Sequence, residues 1–174
     1  FNMSDIAVVG QFAGSLALGS VGSCATLVSL FTGLLIGMGG GINAIAARYM
    51  GAGDRENVKR TVHTAFLLSL IYGIVVMIFG LFTVKGILGI LGTKEELMQG
   101  AVLYMKVYLI GTPALALYNF GNGILSASGD SKRSLYYLLA AGILNIILNL
   151  FFVIVCKLSV LGVALASAIS QYLS

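Results

Sequence analysis

The chain has 174 residues, of which 59% are hydrophobic and only 9% are charged, and its mean hydropathy is +1.02. These values exclude an ordinary soluble domain and are typical of proteins that cross a membrane several times. The formal net charge is +4, but most basic residues lie in short connectors between apolar runs, so the charge does not indicate a nucleic-acid partner.

The order of apolar runs predicts an all-α polytopic membrane protein, a bundle of six spans. The chain begins at Phe1 without an initiator Met or a signal peptide, and Ser174 lies inside an apolar run, so we expect a fragment of a longer protein. The predicted spans cover approximately residues 1–14, 17–50, 61–84, 97–128, 134–156 and 160–174.

The second predicted span is too long to cross a bilayer as a straight helix. Residues 17–50 would extend for roughly 50 Å, whereas the hydrocarbon core is about 30 Å thick. We therefore predict a bend at Gly39–Gly41. Gly33, Gly37 and Gly41 stand four residues apart and form what we call the glycine ridge. Such a ridge predicts close packing of another helix.

The fourth predicted span contains Pro113, the only proline of the chain. Because proline has no N–H, it frees the carbonyl of Leu109 and predicts a kink. Pro113 at this kink, and Asn119 and Asn122 beyond it, are candidates to line a cavity. The alternative for the asparagines is a single hydrogen bond between helices.

The connectors predict the orientation of the chain. Those after spans two and four, with their borders, hold six Lys and Arg residues, whereas the opposite connectors hold three lysines offset by two glutamates. The positive-inside rule places the first set, and with it the N-terminus, in the cytoplasm. The sequences GAGD at 51–54 and SGD at 128–130 resemble one another at the two inner turns.

Four polar residues are expected in one layer of the membrane. Asp5 is the only acidic residue inside a predicted span, and a charge at that depth costs about 2.5–3.5 kcal/mol on insertion scales. Asn145 and Asn149 share one helix face, and an unpaired carboxamide in an apolar medium costs about 2–7 kcal/mol. Counting about 1.5 Å per residue from the outer ends places these three and Ser167 about 9–15 Å deep. The alternative for Asp5 is a position at an interfacial helix end.

No catalytic constellation is present in the sequence. No Ser, His and Asp set shares a layer, Cys24 and Cys156 are far apart, and the glycine-rich run has no Lys-Ser or Lys-Thr after it as a phosphate loop would. We therefore expect neither an enzyme nor a cofactor. The only metal expected is a Na⁺ ion in the polar layer.

Four segments of the chain resemble, in order, the multidrug and toxic compound extrusion (MATE) transporters of the MOP flippase superfamily. FNMSDIAVVG is similar to the family's first-helix Asp motif, and GLLIGMGGGINAIAARYMGAGD to its second helix and first inner loop. ILSASGDSKRS is similar to its fourth-to-fifth turn and GVALASAIS to its sixth-helix motif. The resemblance spans the whole chain and implies most of the N-terminal six-helix lobe, without the C-terminal lobe.

The resemblance also implies a cation-coupling site. Many prokaryotic members hold a cation with an Asp on the first helix, an Asn and an Asp four apart on the fifth, and a Thr on the sixth. These match Asp5, Asn145, Asn149 and Ser167. Serine keeps the hydroxyl, but Asn149 replaces a carboxylate, so Asp5 is the only titratable group of the four. One carboxylate with a proton or Na⁺ is neutral, and the amide and hydroxyl oxygens would suit a hard cation.

The function implied by the resemblance is cation-coupled (H⁺ or Na⁺) antiport that exports amphipathic, cationic organic compounds by alternating access. The expected location is the plasma (inner) membrane, and the expected partners are small organic substrates, the lipid bilayer and the missing C-terminal lobe. Two alternatives stay open. A lipid-linked oligosaccharide flippase of the same superfamily would need a cationic groove, and no inner-side base lies deep in a span. A non-transporting membrane remnant would be indicated by a stop codon shortly after Ser174.

Overall fold

Eight α-helices and one short π-helix make up the protein in a computed structural model that describes residues 1–174. The helices pack as a single all-α bundle. Its elements are α1 (Asn2–Phe12), α2 (Ser15–Ser23), α3 (Ala25–Gly51), α4 (Arg55–Ile90), α5 (Glu95–Ile110), α6 (Thr112–Ala127), α7 (Ser131–Leu150), the π-helix (Phe151–Val155) and α8 (Ser159–Leu173).

The helix lengths agree with a protein that crosses a membrane several times. Three helical segments, Ser15–Gly51, Arg55–Ile90 and Ser131–Val155, are long and apolar enough to span a bilayer, and α5 with α6 forms a fourth span bent by 49°. Helices α1 and α8 have 11 and 15 residues, fewer than the roughly 20 that a crossing needs. Large apolar side chains cover the outer faces, as lipid contact requires. The predicted all-α polytopic fold is confirmed.

The second predicted span is interrupted at Cys24, and no interruption lies at Gly39–Gly41, where a bend was predicted. Helix α3 runs without interruption through the three glycines. At Cys24, which lies between α2 and α3, the backbone N–H bonds to the carbonyl of Val21, three residues back. Glycine lowers helix propensity by only about 1 kcal/mol, so packing against neighbouring helices keeps α3 continuous.

Within this chain, no other helix packs on the glycine ridge. A Cβ added at any of its three residues would meet nothing within 4 Å. The close approach is made by Gly39 instead, because a Cβ there would lie 2.7 Å from the carbonyl oxygen of Asn119 on α6. A Cβ at Gly123 would likewise lie 2.6 Å from the carbonyl oxygen of Gly39. The backbones of α3 and α6 therefore meet directly.

Replacing Gly39 with alanine should destabilise the protein, because the added methyl group meets a backbone oxygen that no side-chain rotation can move. We expect Gly39→Ala to cost about 1–3 kcal/mol. Gly37→Ala, on the open side of the same helix, is the matched control and should be neutral or stabilising by up to about 1 kcal/mol. Unfolding of the complete protein in detergent measures both. Equal stability of the two variants would contradict the packing of α3 on α6.

The predicted kink of the fourth span is confirmed, with its break at Gly111. Pro113 occupies the first turn of α6, where a missing N–H leaves no hydrogen bond unmade. The carbonyl of Leu109 accepts a hydrogen bond from Thr112 Oγ1 at 2.7 Å. Pro113 packs against α4, where a Cβ at Gly73 would lie 2.7 Å from the proline Cα.

The two similar inner turns fold in the same way. Gly53 and Gly129 have left-handed φ values of 69° and 83°, which glycine adopts without steric cost. In each turn the N–H of the following aspartate reaches back to a helix carbonyl, that of Tyr49 at 3.0 Å and that of Leu125 at 2.9 Å. This is the Schellman arrangement, which satisfies the last carbonyls of a helix.

An aspartate then starts the next helix in both turns. Asp54 accepts a hydrogen bond from the backbone N–H of Asn57 at 3.1 Å and caps α4. This bond, together with one from the Asn57 side chain, lowers the pKa of Asp54. Asp130 instead pairs with Arg133 at 2.8 Å. Both connections between antiparallel helices are therefore short and closed by specific contacts.

Candidate cation site and adjoining groove

Asp5 lies at the point where four helices converge, and its side chain is completely buried. Its carboxylate accepts hydrogen bonds from Ser167 Oγ of α8 at 2.6 Å and from Asn149 Nδ2 of α7 at 2.8 Å. The hydroxyl of Tyr104 on α5 donates a third at 2.7 Å. The two ion pairs of the chain lie at the inner turns, so Asp5 has no basic partner. A buried carboxylate with this environment is a candidate to take up a monovalent cation or a proton.

Asn145 and Asn149 of α7 are fully buried and form the wall opposite Asp5. Asn145 Nδ2 donates to Ser167 Oγ at 3.2 Å, and its Oδ1 accepts from Asn149 Nδ2 at 3.3 Å and from Ser4 Oγ. Asn149 Oδ1 is buried without any hydrogen-bond partner. A buried acceptor with no partner costs about 1–3 kcal/mol. Because Asn149 Oδ1 lies beside the Asp5 carboxylate, this oxygen could be a ligand of a bound cation.

The structure brings Asp5 together with all three residues that depth counting placed in its layer. It also adds Tyr104 and Ser4, which the sequence patterns did not identify. Tyr104 is fully buried, and a buried phenol normally finds a hydrogen-bond partner. A tyrosine inside the apolar span 97–128 was thus an available signal. Ser4 carries no comparable signal, since a serine in a membrane helix often bonds to its own backbone.

The side-chain atoms around Asp5 that could be ligands fit a hard monovalent cation better than a transition metal. The oxygen atoms among them come from one carboxylate, two carboxamides and the hydroxyls of Ser167 and Tyr104. Hard cations prefer oxygen ligands, and Asn149 Oδ1 is the buried oxygen that still lacks a partner. No group of three His, Cys, Asp or Glu side chains lies close enough to hold a metal.

A groove of about 570 Å³ adjoins this site. Helices α1, α3, α5, α6 and α7 contribute to its wall, which has apolar, hydroxyl and carboxamide groups and no charged side chain. The polar residues of the wall are Asn2, Ser29, Thr32, Tyr108, Tyr118 and Asn119.

Of the three residues expected to line a cavity, only Asn119 lies in the groove wall. Asn122 accepts a hydrogen bond from Ser134 Oγ of α7 at 2.7 Å, so it follows the alternative of a bond between helices. Three residues along a helix correspond to a rotation of about 300°, which directs Asn122 toward α7. Pro113 is buried against α4 and does not line the groove.

Two contacts connect the groove wall with the Asp5 site. Asn2 Nδ2 donates to the Tyr104 hydroxyl at 3.1 Å, and that hydroxyl in turn contacts Asp5. The ring of Tyr108, which lines the groove, stacks on that of Tyr104 with their centroids 6.0 Å apart. The two regions therefore share Tyr104 as a common neighbour.

Comparison with known proteins gives concordant matches. A family model described as MatE matches residues 1–151. The protein named "DETOXIFICATION 43" of Arabidopsis thaliana is 36% identical over 110 residues, which cover 62% of this chain and 21% of the relative. The protein named "Probable multidrug resistance protein YoeA" of Bacillus subtilis (strain 168) is 28% identical over 166 residues, 93% of this chain and 36% of the relative.

The fold matches solved structures along nearly its whole length. A crystal structure of MATE in the bent conformation aligns with a TM-score of 0.94 and 30% sequence identity, over 99% of this chain and 38% of that one. An inward-facing multidrug resistance transporter of the MOP superfamily aligns with a TM-score of 0.92 and 28% identity. The chain spans less than two fifths of the length of these relatives.

Proposed function

Because the chain belongs to the MATE family of transporters, we propose that it forms most of the N-terminal lobe of a cation-coupled antiporter. The complete protein would export amphipathic organic cations in exchange for H⁺ or Na⁺. Its proposed location is the plasma (inner) membrane, with the N-terminus in the cytoplasm. The observation that supports this most directly is Asp5, a fully buried carboxylate with three hydrogen-bond donors and no basic partner.

The exchange follows from the charge of Asp5. An unliganded carboxylate attracts a cation in the neighbouring groove, and the burial of Asp5 reduces the screening of this attraction by water. A proton or Na⁺ on Asp5 removes that negative charge. Binding of the coupling ion at Asp5 therefore weakens binding of the substrate cation in the groove, and the reverse also holds. The two cations compete in this way although they contact different residues. Alternation of the site between the two sides of the membrane requires a second lobe. The relative of known structure is long enough to contain a second lobe, because this chain covers only 38% of its length.

The groove wall favours a cationic substrate over the diphosphate of a lipid-linked oligosaccharide. A diphosphate is recognised by Arg and Lys side chains, and none lies in the wall. The wall instead offers aromatic rings and oxygen atoms, among them Tyr108, Tyr118 and Thr32. Aromatic faces bind organic cations, so the flippase alternative has less support.

Transport by the complete protein in proteoliposomes tests this function. An imposed H⁺ or Na⁺ gradient should drive movement of the organic cation ethidium against its concentration gradient. Collapse of the gradient by an ionophore should stop it. Ethidium movement that is equal with and without both gradients would contradict antiport.

A further inference from the structure

A second groove, of about 320 Å³, lies between residues 38–49 of α3 and 57–68 of α4, and we call it the hairpin groove. It starts beside the first inner turn and follows both helices for about 16 Å, at about 1.5 Å per residue. One leaflet contributes half of a hydrocarbon core about 30 Å thick. The hairpin groove is therefore about as deep as one leaflet.

The wall of the hairpin groove changes from polar to apolar with distance from the turn. Tyr49 and Arg60 lie near the turn, whereas Met38 and Leu68 lie farthest from it, with Ile42 between. A phospholipid has the same order of groups, a charged headgroup followed by hydrocarbon chains. We propose that the hairpin groove binds an anionic phospholipid of the leaflet around the inner turns, with its headgroup at Arg60 and one acyl chain between α3 and α4.

The charge at the mouth of the hairpin groove suits an anionic headgroup. Arg60 lies in its wall, and Arg55 and Lys59 line an adjoining depression of about 490 Å³ that shares Tyr49 with it. No Asp or Glu lies in either wall. A guanidinium group matches the geometry of phosphate oxygens. Basic pockets between membrane helices at the cytoplasmic surface bind anionic headgroups for this reason.

The two carboxylates of the same turn do not cancel this positive charge. Asp54 is occupied in capping α4, where it accepts from the backbone N–H of Asn57. Glu56 pairs with Arg60 at 2.8 Å, but the two side chains are 76% and 73% exposed. An exposed pair of this kind contributes little to stability. Arg60 can therefore turn to a phosphate at little cost.

Three hydroxyl groups in the wall of the hairpin groove are free to bind a headgroup or an ester carbonyl. They belong to Tyr49, Thr61 and Thr64, and none of them makes a hydrogen bond within the chain. Ser69 and Thr83 of the same helix instead donate to the carbonyl four residues back, at 2.6 and 2.7 Å. The position of Tyr49 also agrees with the enrichment of tyrosine at the level of the headgroups.

The hairpin groove opens away from the groove beside Asp5. Thr32, Gly33 and Ile36 of α3 line the groove beside Asp5. With 3.6 residues per turn, they lie about 150° around the helix from the α3 side chains of the hairpin groove. Leu68 and Ile71 of α4 are 57% and 56% exposed, as lipid contact requires. A lipid can therefore enter from the membrane without crossing the substrate groove, and the proposal does not depend on antiport.

The test is photolabelling of the complete transporter in proteoliposomes with phosphatidylglycerol that carries a diazirine on one acyl chain. Peptide mass spectrometry should find the label in residues 38–49 and 57–68. We expect Lys59→Gln/Arg60→Gln to lower this labelling by about tenfold or more, because each basic residue adds to the attraction for anionic lipid. A phosphatidylcholine analogue with the same chains should label the wild type at this lower level. Equal labelling by the two lipids would overturn the proposal.

Lys132→Gln/Arg133→Gln is the matched control, because it removes the same two charges at the second inner turn. Arg133 pairs with Asp130 at 2.8 Å, as Arg60 does with Glu56, but neither basic residue of that turn lies in the wall of the hairpin groove. The control should keep wild-type labelling of the groove. An equal loss in both double variants, or a loss in neither, would overturn the proposal.

Competition separates a lipid site from a site for free phosphate. Excess unlabelled phosphatidylglycerol should remove the label, whereas excess inorganic phosphate should leave it unchanged. Displacement by inorganic phosphate would overturn the assignment to a lipid. None of these outcomes bears on antiport, which ethidium transport measures separately.

A second variant keeps the proposal testable if Lys59→Gln/Arg60→Gln does not fold. Ile45→Trp narrows the apolar part of the hairpin groove and leaves its charges in place. Labelling of the groove should fall severalfold. Leu34→Trp, at an exposed position of the same helix outside the groove, should keep wild-type labelling. Wild-type labelling in Ile45→Trp would show that no acyl chain lies between α3 and α4, and would overturn the proposal.

Discussion

Replacing Asp5 with asparagine should reduce gradient-driven export by the complete transporter to background. The substitution keeps the shape of the side chain but removes the only titratable group among the predicted ligands. The neighbouring hydroxyls of Ser167 and Tyr104 can rotate to accept hydrogen bonds, so the fold should persist. Ethidium efflux from energised vesicles measures the loss, and unfolding in detergent measures the stability.

Asp130→Asn is a suitable control, because it makes the same chemical change at an inner turn far along the chain from Asp5. Its export should resemble that of the wild type. If Asp5→Asn kept gradient-driven export, Asp5 would not be part of the coupling mechanism, and the coupling site would lie in the other lobe. A loss of export accompanied by a large loss of stability would instead indicate a structural role.

Replacing Asn149 with aspartate should make the stability of the protein depend strongly on bound cations. Asn149 Nδ2 lies 2.8 Å from Asp5 Oδ1, so the variant would place two carboxylates in direct contact. Two like charges about 4 Å apart repel by about 4 kcal/mol at an effective dielectric constant near 20. The unfolding temperature should fall at high pH without Na⁺. It should recover at low pH or with added Na⁺, because ligands that bind only the folded state stabilise it.

The same substitution at Asn122 provides the control. Asn122 contacts Ser134 and not Asp5, so Asn122→Asp should show no comparable rescue by Na⁺. If Asn149→Asp were as stable as the wild type without Na⁺ at high pH, the two side chains would not share a site. The variant also restores the carboxylate that this chain lacks relative to the motif it resembles, so its export shows whether one carboxylate is enough for coupling.

The depth of the polar residues could be predicted because helix rise is nearly constant. Counting from the span ends placed Asp5, Asn145 and Ser167 in one layer, and the structure has them within hydrogen-bonding distance of one another or of shared partners. Depth does not determine which helices are neighbours. That arrangement was available only through the family resemblance, which describes the helices as one lobe.

The glycines show why other contacts could not be predicted. In a membrane both the lipid and the neighbouring helix are apolar, so spacing alone does not indicate which face meets protein. The glycine ridge faces open space, whereas Gly39, on another face of α3, meets α6. Tyr104 was missed for a related reason, since its ring suits an apolar span and only its hydroxyl requires a partner.

The two closed inner turns have a mechanical consequence for any rearrangement of the bundle. Each leaves only a few residues between antiparallel helices and anchors the turn to the preceding helix through Tyr49 or Leu125. A helix joined in this way cannot slide or rotate independently of its partner without breaking the turn. We therefore expect α3 to move together with α4, and α6 together with α7, as two rigid helix pairs. We expect the two pairs to rotate about the backbone contact between Gly39 and Gly123.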